Sequence, residues 1–213
     1  MKYRSVFRPG LFDGQTVIVT GGGSGIGRCT AHELAALGAD VVIVGRNEQK
    51  LETVRAEIAE DGGKASAITC DIRDEAAVIR AVDAVLAANG RIDGLVNNAG
   101  GQYRSPLKTI STKGFEAVVR NNLTGGFIFM REVYTRWMES NGGAIVNIIA
   151  DIWHGWPKLC AFRRRAGRHA YAERKCCVRM GRHRRSRQYR CARRDRIERA
   201  RHLRGERYRP HPE

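Results

Sequence analysis

The 213-residue chain has no apolar run that approaches the length of a membrane-spanning helix. Its first ten residues, Met1–Gly10, are polar and lack the apolar centre of a secretory signal peptide. The six cysteines have neither the spacing of a disulfide framework nor that of a zinc site, so no metal site is expected. These absences predict a cytoplasmic protein with reduced thiols and no membrane partner.

Acidic residues are scarce in the last quarter of the chain, which carries most of the formal net charge of +16. Residues 161–213 hold 20 of the 38 Lys and Arg residues but only 5 of the 22 Asp and Glu residues, and residues 1–160 are almost neutral. The basic stretch has only four Val, Leu, Ile or Phe residues, too few to offset the entropy of ordering it. We predict a globular domain over residues 1–157 and a disordered, Arg-rich tail over residues 158–213.

Strand and helix patterns alternate through the first domain. Short β-branched runs predict strands at 16–20, 39–45, 65–70, 94–96 and 144–149. Apolar residues at helical spacing predict helices at 28–37, 48–60, 74–88 and 112–140, the last one opened near Gly125–Gly126. This order predicts an α/β fold: a Rossmann-like, doubly wound parallel sheet with strand order 3-2-1-4-5, truncated after the fifth strand.

The first strand runs directly into a glycine-rich turn, Gly-Gly-Gly-Ser-Gly-Ile-Gly over residues 21–27, and a helix follows. Glycines let the backbone approach a pyrophosphate closely, and the N-terminus of the helix offers unpaired N–H groups. Strand, glycine turn and helix in this order predict a dinucleotide site. The residues expected to bind the cofactor here are Gly21, Ser24, Gly25, Ile26 and Gly27.

The end of the second strand distinguishes NAD from NADP. An acidic residue there binds the ribose hydroxyls of NAD, whereas an Arg accommodates the 2′-phosphate of NADP. This chain has Gly45-Arg46-Asn47 and no acid. We therefore predict that Arg46 binds NADP(H), with NAD(H) as the alternative cofactor and a solvated Arg46 as the interpretation without function.

Further cofactor contacts are expected where the third and fourth strands end. Asp71, followed by Ile72, lies where a carboxylate can meet the adenine, and it fits a helix N-cap equally well. Small residues after the fourth strand let a cofactor lie close to the backbone. The residues expected there are Asn98, Ala99 and Gly100. Asn122 lies in an apolar helix, so a structural polar network and a catalytic role both stay open.

These motifs together resemble the short-chain dehydrogenase/reductase family. The resemblance covers residues 12–157 and is carried by Thr20–Gly27, Asp71, Asn97–Gly100 and Asn122–Gly125. The stretches that resemble its peroxisomal trans-2-enoyl-CoA reductase branch are Phe7–Phe12, Gly100–Pro106, Ile110–Phe115 and Val146–Ile149. The resemblance implies an oxidoreductase of fatty acid metabolism in which NADPH reduces the double bond of a 2-enoyl-CoA. Another carbonyl or alcohol substrate is the alternative within the family.

The catalytic residues that the resemblance implies are a Tyr-x-x-x-Lys pair and a Ser after the fifth strand. Here the Ser position holds Ile149 or Ala150, and Phe162 stands where the Tyr belongs. The only Tyr-x-x-x-Lys match, Tyr171 with Lys175, lies downstream of that position in a polar setting, as expected of a chance match. The chain as written is therefore predicted to be inactive.

A reading frame shifted by one nucleotide accounts for the tail. Each residue pair limits the codon read one nucleotide downstream, and Met180-Gly181 forces Trp. Within such limits residues 161–204 can encode Glu-Trp-Ala and Arg-Val-Asn-x-Val-Ala-Pro-Gly, which resemble the family's continuation. We predict a frame change near Trp156–Ala161 and, with the family's interface helix missing, loss of the homo-oligomer.

A nucleotide-binding domain whose basic tail contacts nucleic acid is the alternative from a different class of function. The density of Arg fits the electrostatic footprint of such a tail. The Arg residues are scattered among Cys, His and Met, without helical periodicity or interleaved aromatic residues. Nucleic acid is therefore not the expected partner, and a small molecule, such as an acyl-CoA, is.

Overall fold

The computed structural model of the chain describes residues 3, 5–103, 105–106 and 108–149. Within them, five parallel strands form one sheet in the order β3-β2-β1-β4-β5. The strands are β1 (Thr16–Thr20), β2 (Asp40–Gly45), β3 (Lys64–Thr69), β4 (Gly94–Asn97) and β5 (Ala144–Asn147). The predicted α/β, Rossmann-like class and the predicted strand order are confirmed. The predicted tail, residues 158–213, lies outside the described residues.

Three regular helices connect the first four strands, and a longer helical segment precedes the fifth. The helices are α1 (Gly25–Ala36), α2 (Glu48–Glu60), α3 (Glu75–Asn89), α4 (Thr112–Val119), α5 (Gly125–Val133) and α6 (Glu139–Asn141). Two π-helical turns, Arg120–Thr124 and Tyr134–Met138, join the last three. The expected opening near Gly125–Gly126 corresponds to the first π-helical turn, which ends at Thr124, directly before these glycines.

Each face of the sheet packs against its own pair of helices. On one face, Val17, Val19, Val41 and Ile43 contact α1 and α2. On the other face, Ile18, Val42 and Val44 contact α3 and α5. Neighbouring residues of β1 and β2 therefore point into different layers of the core, and both layers are apolar. This explains why these strands are continuous β-branched runs rather than alternating patterns.

The strand β5 lies at the edge of the described sheet and pairs with β4 from Gly94↔Ala144 to Asn97↔Asn147. Val146 is 52% exposed, and Ile148 and Ile149 just after the strand are 40% and 44% exposed. An apolar edge of this kind favours association or aggregation unless another element covers it.

Candidate nucleotide-binding site

The turn between β1 and α1 has a backbone that only glycine adopts easily. Gly21 and Gly25 have positive φ angles of 70° and 55°. A β-carbon on Gly27 would lie 2.3 Å from the carbonyl oxygen of Gly21, so the helix and strand pack more closely than a side chain allows. A β-carbon on Gly25 would meet nothing within 4 Å, so there is open space before the first turn of α1. Ser24 caps α1 without a side-chain hydrogen bond to it.

The ends of β1 and β4 are joined by a small hydrogen-bond network that holds the glycine turn in place. The Thr20 hydroxyl accepts from the backbone N–H groups of Asn98 and Ala99, each at 3.0 Å. The Asn98 side-chain amide donates to the Thr20 carbonyl at 3.0 Å. Asn98 therefore positions the turn, and Thr20 is a supporting residue that the sequence analysis did not assign.

A cavity of about 230 Å³ lies at the carboxyl ends of β1, β2, β3 and β4. The predicted residues that line it are Gly21, Ser24, Arg46, Ile72, Ala99 and Gly100. The predicted residues that do not line it are Gly25, Ile26, Gly27, Asp71, Asn98 and Asn122. Tyr171 and Lys175 lie outside the described residues. The cavity is at the position where the sheet topology reverses direction between β1 and β4, as the fold predicts for a ligand site.

Other lining residues were missed by the sequence analysis, namely Gly23, Gly45, Asn47, Lys50, Leu51, Cys70 and Asn121. A sequence signal existed for Lys50, because it is a basic residue in the first turn of the helix that follows β2, four residues after Arg46. Asn47 caps α2 by accepting from the Lys50 backbone N–H at 2.9 Å. No local signal pointed to Asn121, which the π-helical turn before α5 places at the cavity.

At the end of β3, Asp71 is held by Arg73. Its carboxylate accepts from Arg73 Nε at 2.9 Å, from Nη2 at 2.6 Å and from the backbone N–H at 3.0 Å. The side-chain hydrogen bond from Arg73 keeps the pKa of Asp71 below its ordinary value. The N-cap alternative for Asp71 was wrong, because Asp74 caps α3 by accepting from the Ala77 N–H.

Cys70, beside Asp71, is a buried thiol at the wall of the cavity. Burial, and then the negative charge of Asp71, raise the pKa of Cys70 to about 11. The thiol is therefore neutral at physiological pH and contributes an apolar surface rather than a nucleophile. Cys29, in contrast, is exposed on α1.

Asn122 is buried on the π-helical turn, and both ends of its side-chain amide are engaged. Its oxygen accepts from the Gly101 N–H at 2.9 Å, and its nitrogen donates to the carbonyls of Gly101 at 2.6 Å and Val118 at 2.9 Å. These contacts tie the loop after β4 to the helix. In the described structure the residue acts on the position of that loop, where Gly100 lines the cavity.

Metal centres and membrane-spanning helices are both absent from the described residues. Within the described part of the chain, no group of three or more His, Cys, Asp or Glu residues is placed to hold a metal ion. Among those same residues, no helix combines the length and the apolar character needed to cross a bilayer.

A doubly wound parallel sheet with a glycine-rich turn at its switch point defines a dinucleotide-binding domain of the Rossmann class. The profile of the short chain dehydrogenase family matches residues 15–159. The chain therefore belongs to the short chain dehydrogenase family, whose members are oxidoreductases that act on small molecules with a nicotinamide cofactor.

The names of the chain's relatives refer to diverse substrates. A peroxisomal 2,4-dienoyl-CoA reductase of Danio rerio is 35% identical over 152 residues, which are 71% of this chain and 51% of that protein. A D-threitol dehydrogenase of Mycolicibacterium smegmatis is 39% identical over 139 residues, which are 65% of this chain and 54% of that protein. The chain spans about half the length of these curated relatives.

Among solved structures, the citronellol catabolism dehydrogenase of Pseudomonas aeruginosa is 56% identical to the chain. The two superpose with a TM-score of 0.80, over 84% of this chain and 74% of that one. The family and fold are thus shown, and the relatives include enoyl-CoA reductase-like proteins, as the resemblance implied.

Proposed function

We propose that the chain derives from an NADP(H)-dependent oxidoreductase whose cofactor-binding domain is residues 1–157. The observation that carries this proposal is at the end of β2, where Arg46 lines the cavity and no carboxylate does. An Arg matches the charge and geometry of a 2′-phosphate, whereas the ribose hydroxyls of NAD need an acidic acceptor. The open space before α1 and the unpaired N–H groups of its first turn fit a pyrophosphate.

In this proposal each part of the site has a defined task. The backbone of Gly21–Gly27 binds the pyrophosphate, Arg46 binds the 2′-phosphate, and the wall formed by Ile72 and Ala99 packs against the rest of the nucleotide. The bound cofactor supplies the hydride. Asp71, held by Arg73, lies beside the wall residues Cys70 and Ile72 and is proposed to meet the adenine.

The cofactor assignment is tested by equilibrium titration of the purified chain with NADPH and with NADH, followed by nucleotide fluorescence. We expect tighter binding of NADPH, because only NADPH carries the phosphate that Arg46 neutralises. Equal affinity for the two nucleotides, or tighter binding of NADH, would contradict the assignment.

For the substrate, we propose the double bond of a 2-enoyl-CoA, which places the lineage in fatty acid metabolism. The stretches Gly100–Pro106 and Val146–Ile149 support it, together with the similarity to dienoyl-CoA reductases. A second candidate is a different carbonyl or alcohol, which the 56% identity to a citronellol catabolism dehydrogenase favours. A protein with the corrected reading frame distinguishes them: NADPH oxidation with crotonyl-CoA supports the first, and turnover of terpenoid alcohols or small ketones alone supports the second.

We further propose that the chain as written does not catalyse hydride transfer. The implied Ser position holds Ile149 or Ala150, and Phe162 replaces the implied Tyr. The family match ends at residue 159, within the range where the frame change is proposed. Sequencing the coding DNA across Gly155–Arg165, with the intact mass of the product, tests the frame. NADPH turnover with crotonyl-CoA by the 213-residue chain would contradict the proposed inactivity.

The proposed setting is the cytoplasm, and neither nucleic acid nor a homo-oligomer is a proposed partner of this chain. The exposed apolar residues Val146, Ile148 and Ile149 support the loss of a covering helix at the edge of the sheet. Light scattering across a concentration series tests this. A defined dimer or tetramer would contradict the loss of the interface, whereas a monomer or open-ended aggregates agree with it.

A further inference from the structure

A second cation faces the cavity that Arg46 lines. Lys50 is exposed in the first turn of α2 and is one of the residues that line the cavity. Among the described residues, neither Lys50 nor Arg46 forms an ion pair or a side-chain hydrogen bond. Two cations without protein partners at one small cavity are available to an anionic ligand.

The side chain of Lys50 begins beside the glycine-rich turn that is proposed to bind the pyrophosphate. A β-carbon built on Gly23 would lie only 3.2 Å from the Cβ of Lys50 and 3.4 Å from the Cδ2 of Leu51. The missing side chain at Gly23 therefore lets α2 approach the turn, and the stem of Lys50 begins beside it. Gly23, Arg46 and Lys50 all line the same cavity.

The acidic groups around Arg46 and Lys50 do not neutralise the positive charge at the cavity. No carboxylate lines the cavity. Asp71 interacts electrostatically with Arg46, but its carboxylate is already bound by Arg73. Glu48, in the first turn of α2, is exposed to solvent and does not line the cavity. A phosphate with about two negative charges would therefore meet two cations and no anion in the wall.

We propose that Lys50 is a second specificity-determining residue, which binds the 2′-phosphate of NADP(H) together with Arg46. This inference rests on the proposed NADP(H) preference and extends it. Recognition of the phosphate is then shared by two cations, so replacing Arg46 alone weakens the preference for NADPH without removing it.

The test is equilibrium binding of NADPH, NADH, 2′-AMP and 5′-AMP to the full chain and to Lys50→Met. A hydrogen bond from a charged donor changes affinity by about 10-fold or more. We therefore expect NADPH and 2′-AMP to bind about 10-fold more weakly to Lys50→Met, and NADH and 5′-AMP to change by less than about 2-fold. Lys50→Arg should retain most of the NADPH affinity, since it keeps the cation. Lys50 and Arg46 replaced together should remove the discrimination.

Lys64→Met is the matched control, because Lys64 is an exposed Lys at the start of β3, at the opposite end of the sheet from the cavity. Circular dichroism checks that each variant is folded, and Lys50→Gln serves as a second variant that avoids a new apolar group on the surface.

The outcomes separate this inference from the proposed function. If the wild-type chain prefers NADPH and Lys50→Met keeps that preference in full, the role of Lys50 is refuted while the NADP(H) proposal stands. If Lys50→Met weakens NADPH and NADH equally, Lys50 does not recognise the 2′-phosphate. If the wild-type chain has no preference for NADPH, the NADP(H) proposal fails and the role of Lys50 fails with it.

Discussion

Replacing Asn122 by Ala should destabilise the chain strongly, although the residue lies outside the cavity. The substitution removes three hydrogen bonds, two to the backbone of Gly101 and one to the carbonyl of Val118. A buried polar group without a partner costs about 1–3 kcal/mol, and the two contacts with Gly101 are only partly buried, so water can replace part of them. We expect a loss of about 2–4 kcal/mol in the free energy of unfolding, a large share of the ~5–15 kcal/mol typical of a domain.

The assay is urea denaturation followed by circular dichroism, with NADPH affinity measured on the folded fraction. Asn121→Ala is the matched control, because Asn121 is the preceding residue on the same π-helical turn and lines the cavity. That control should leave stability nearly unchanged and alter nucleotide affinity instead. The reasoning is refuted if Asn122→Ala unfolds within about 0.5 kcal/mol of the wild type, or if Asn121→Ala is the more destabilised of the two.

Two further predictions concern the end of β3. The pKa of Asp71 is lowered mainly by the hydrogen bond from Arg73, so its contribution to stability is complete above the ordinary value of 3.8 and is lost as the pH falls below it. Arg73→Gln should reduce the stability that is lost on acidification, by well under 1 kcal/mol because the Arg73–Asp71 pair is partly exposed. Urea denaturation from pH 6 to pH 2.5 measures this change. If the free energy of unfolding depends on pH in the same way in the variant and the wild type, the role of Arg73 is refuted. Iodoacetamide at pH 8 should alkylate the exposed Cys29 much faster than Cys70, whose pKa is about 11, and peptide mapping that finds equal rates would contradict the assigned burial.

Local patterns were sufficient for much of the fold because the central strands β1 and β2 are buried on both faces. Runs such as Val41–Val44 are apolar throughout, and the helices between the strands show their period directly in the sequence. The predicted helix α2 has the observed bounds, since Asn47 caps it and Gly62 lies just past its end. The strand β1 also has the predicted bounds, and the boundaries that differ do so by one to three residues; α1, for example, begins inside the glycine turn.

The structure decided between arrangements that the local sequence pattern left open. The motif around Asp71 offers two acids at the start of α3, and only the structure shows that Asp74 is the cap while Asp71 pairs with Arg73. The irregular turn was expected near Gly125–Gly126, and the structure places it directly before them at Arg120–Thr124, where Asn122 bonds to Gly101 as well as to its own helix. A helix departs from regular geometry there because a tertiary contact competes with its internal hydrogen bonds.

The sequence by itself determined the class of the domain, its strand order and the glycine turn, because apolar runs, helical periodicity and the placement of glycines are patterns of neighbouring residues. It also determined the expectation of NADP(H), through one Arg after one strand. Only the tertiary structure decided which side chains share the cavity. Lys50 lies on α2 and Asn121 on the π-helical turn before α5, and both line the same cavity because the strand order reverses at β1, so that the carboxyl ends of neighbouring strands meet there.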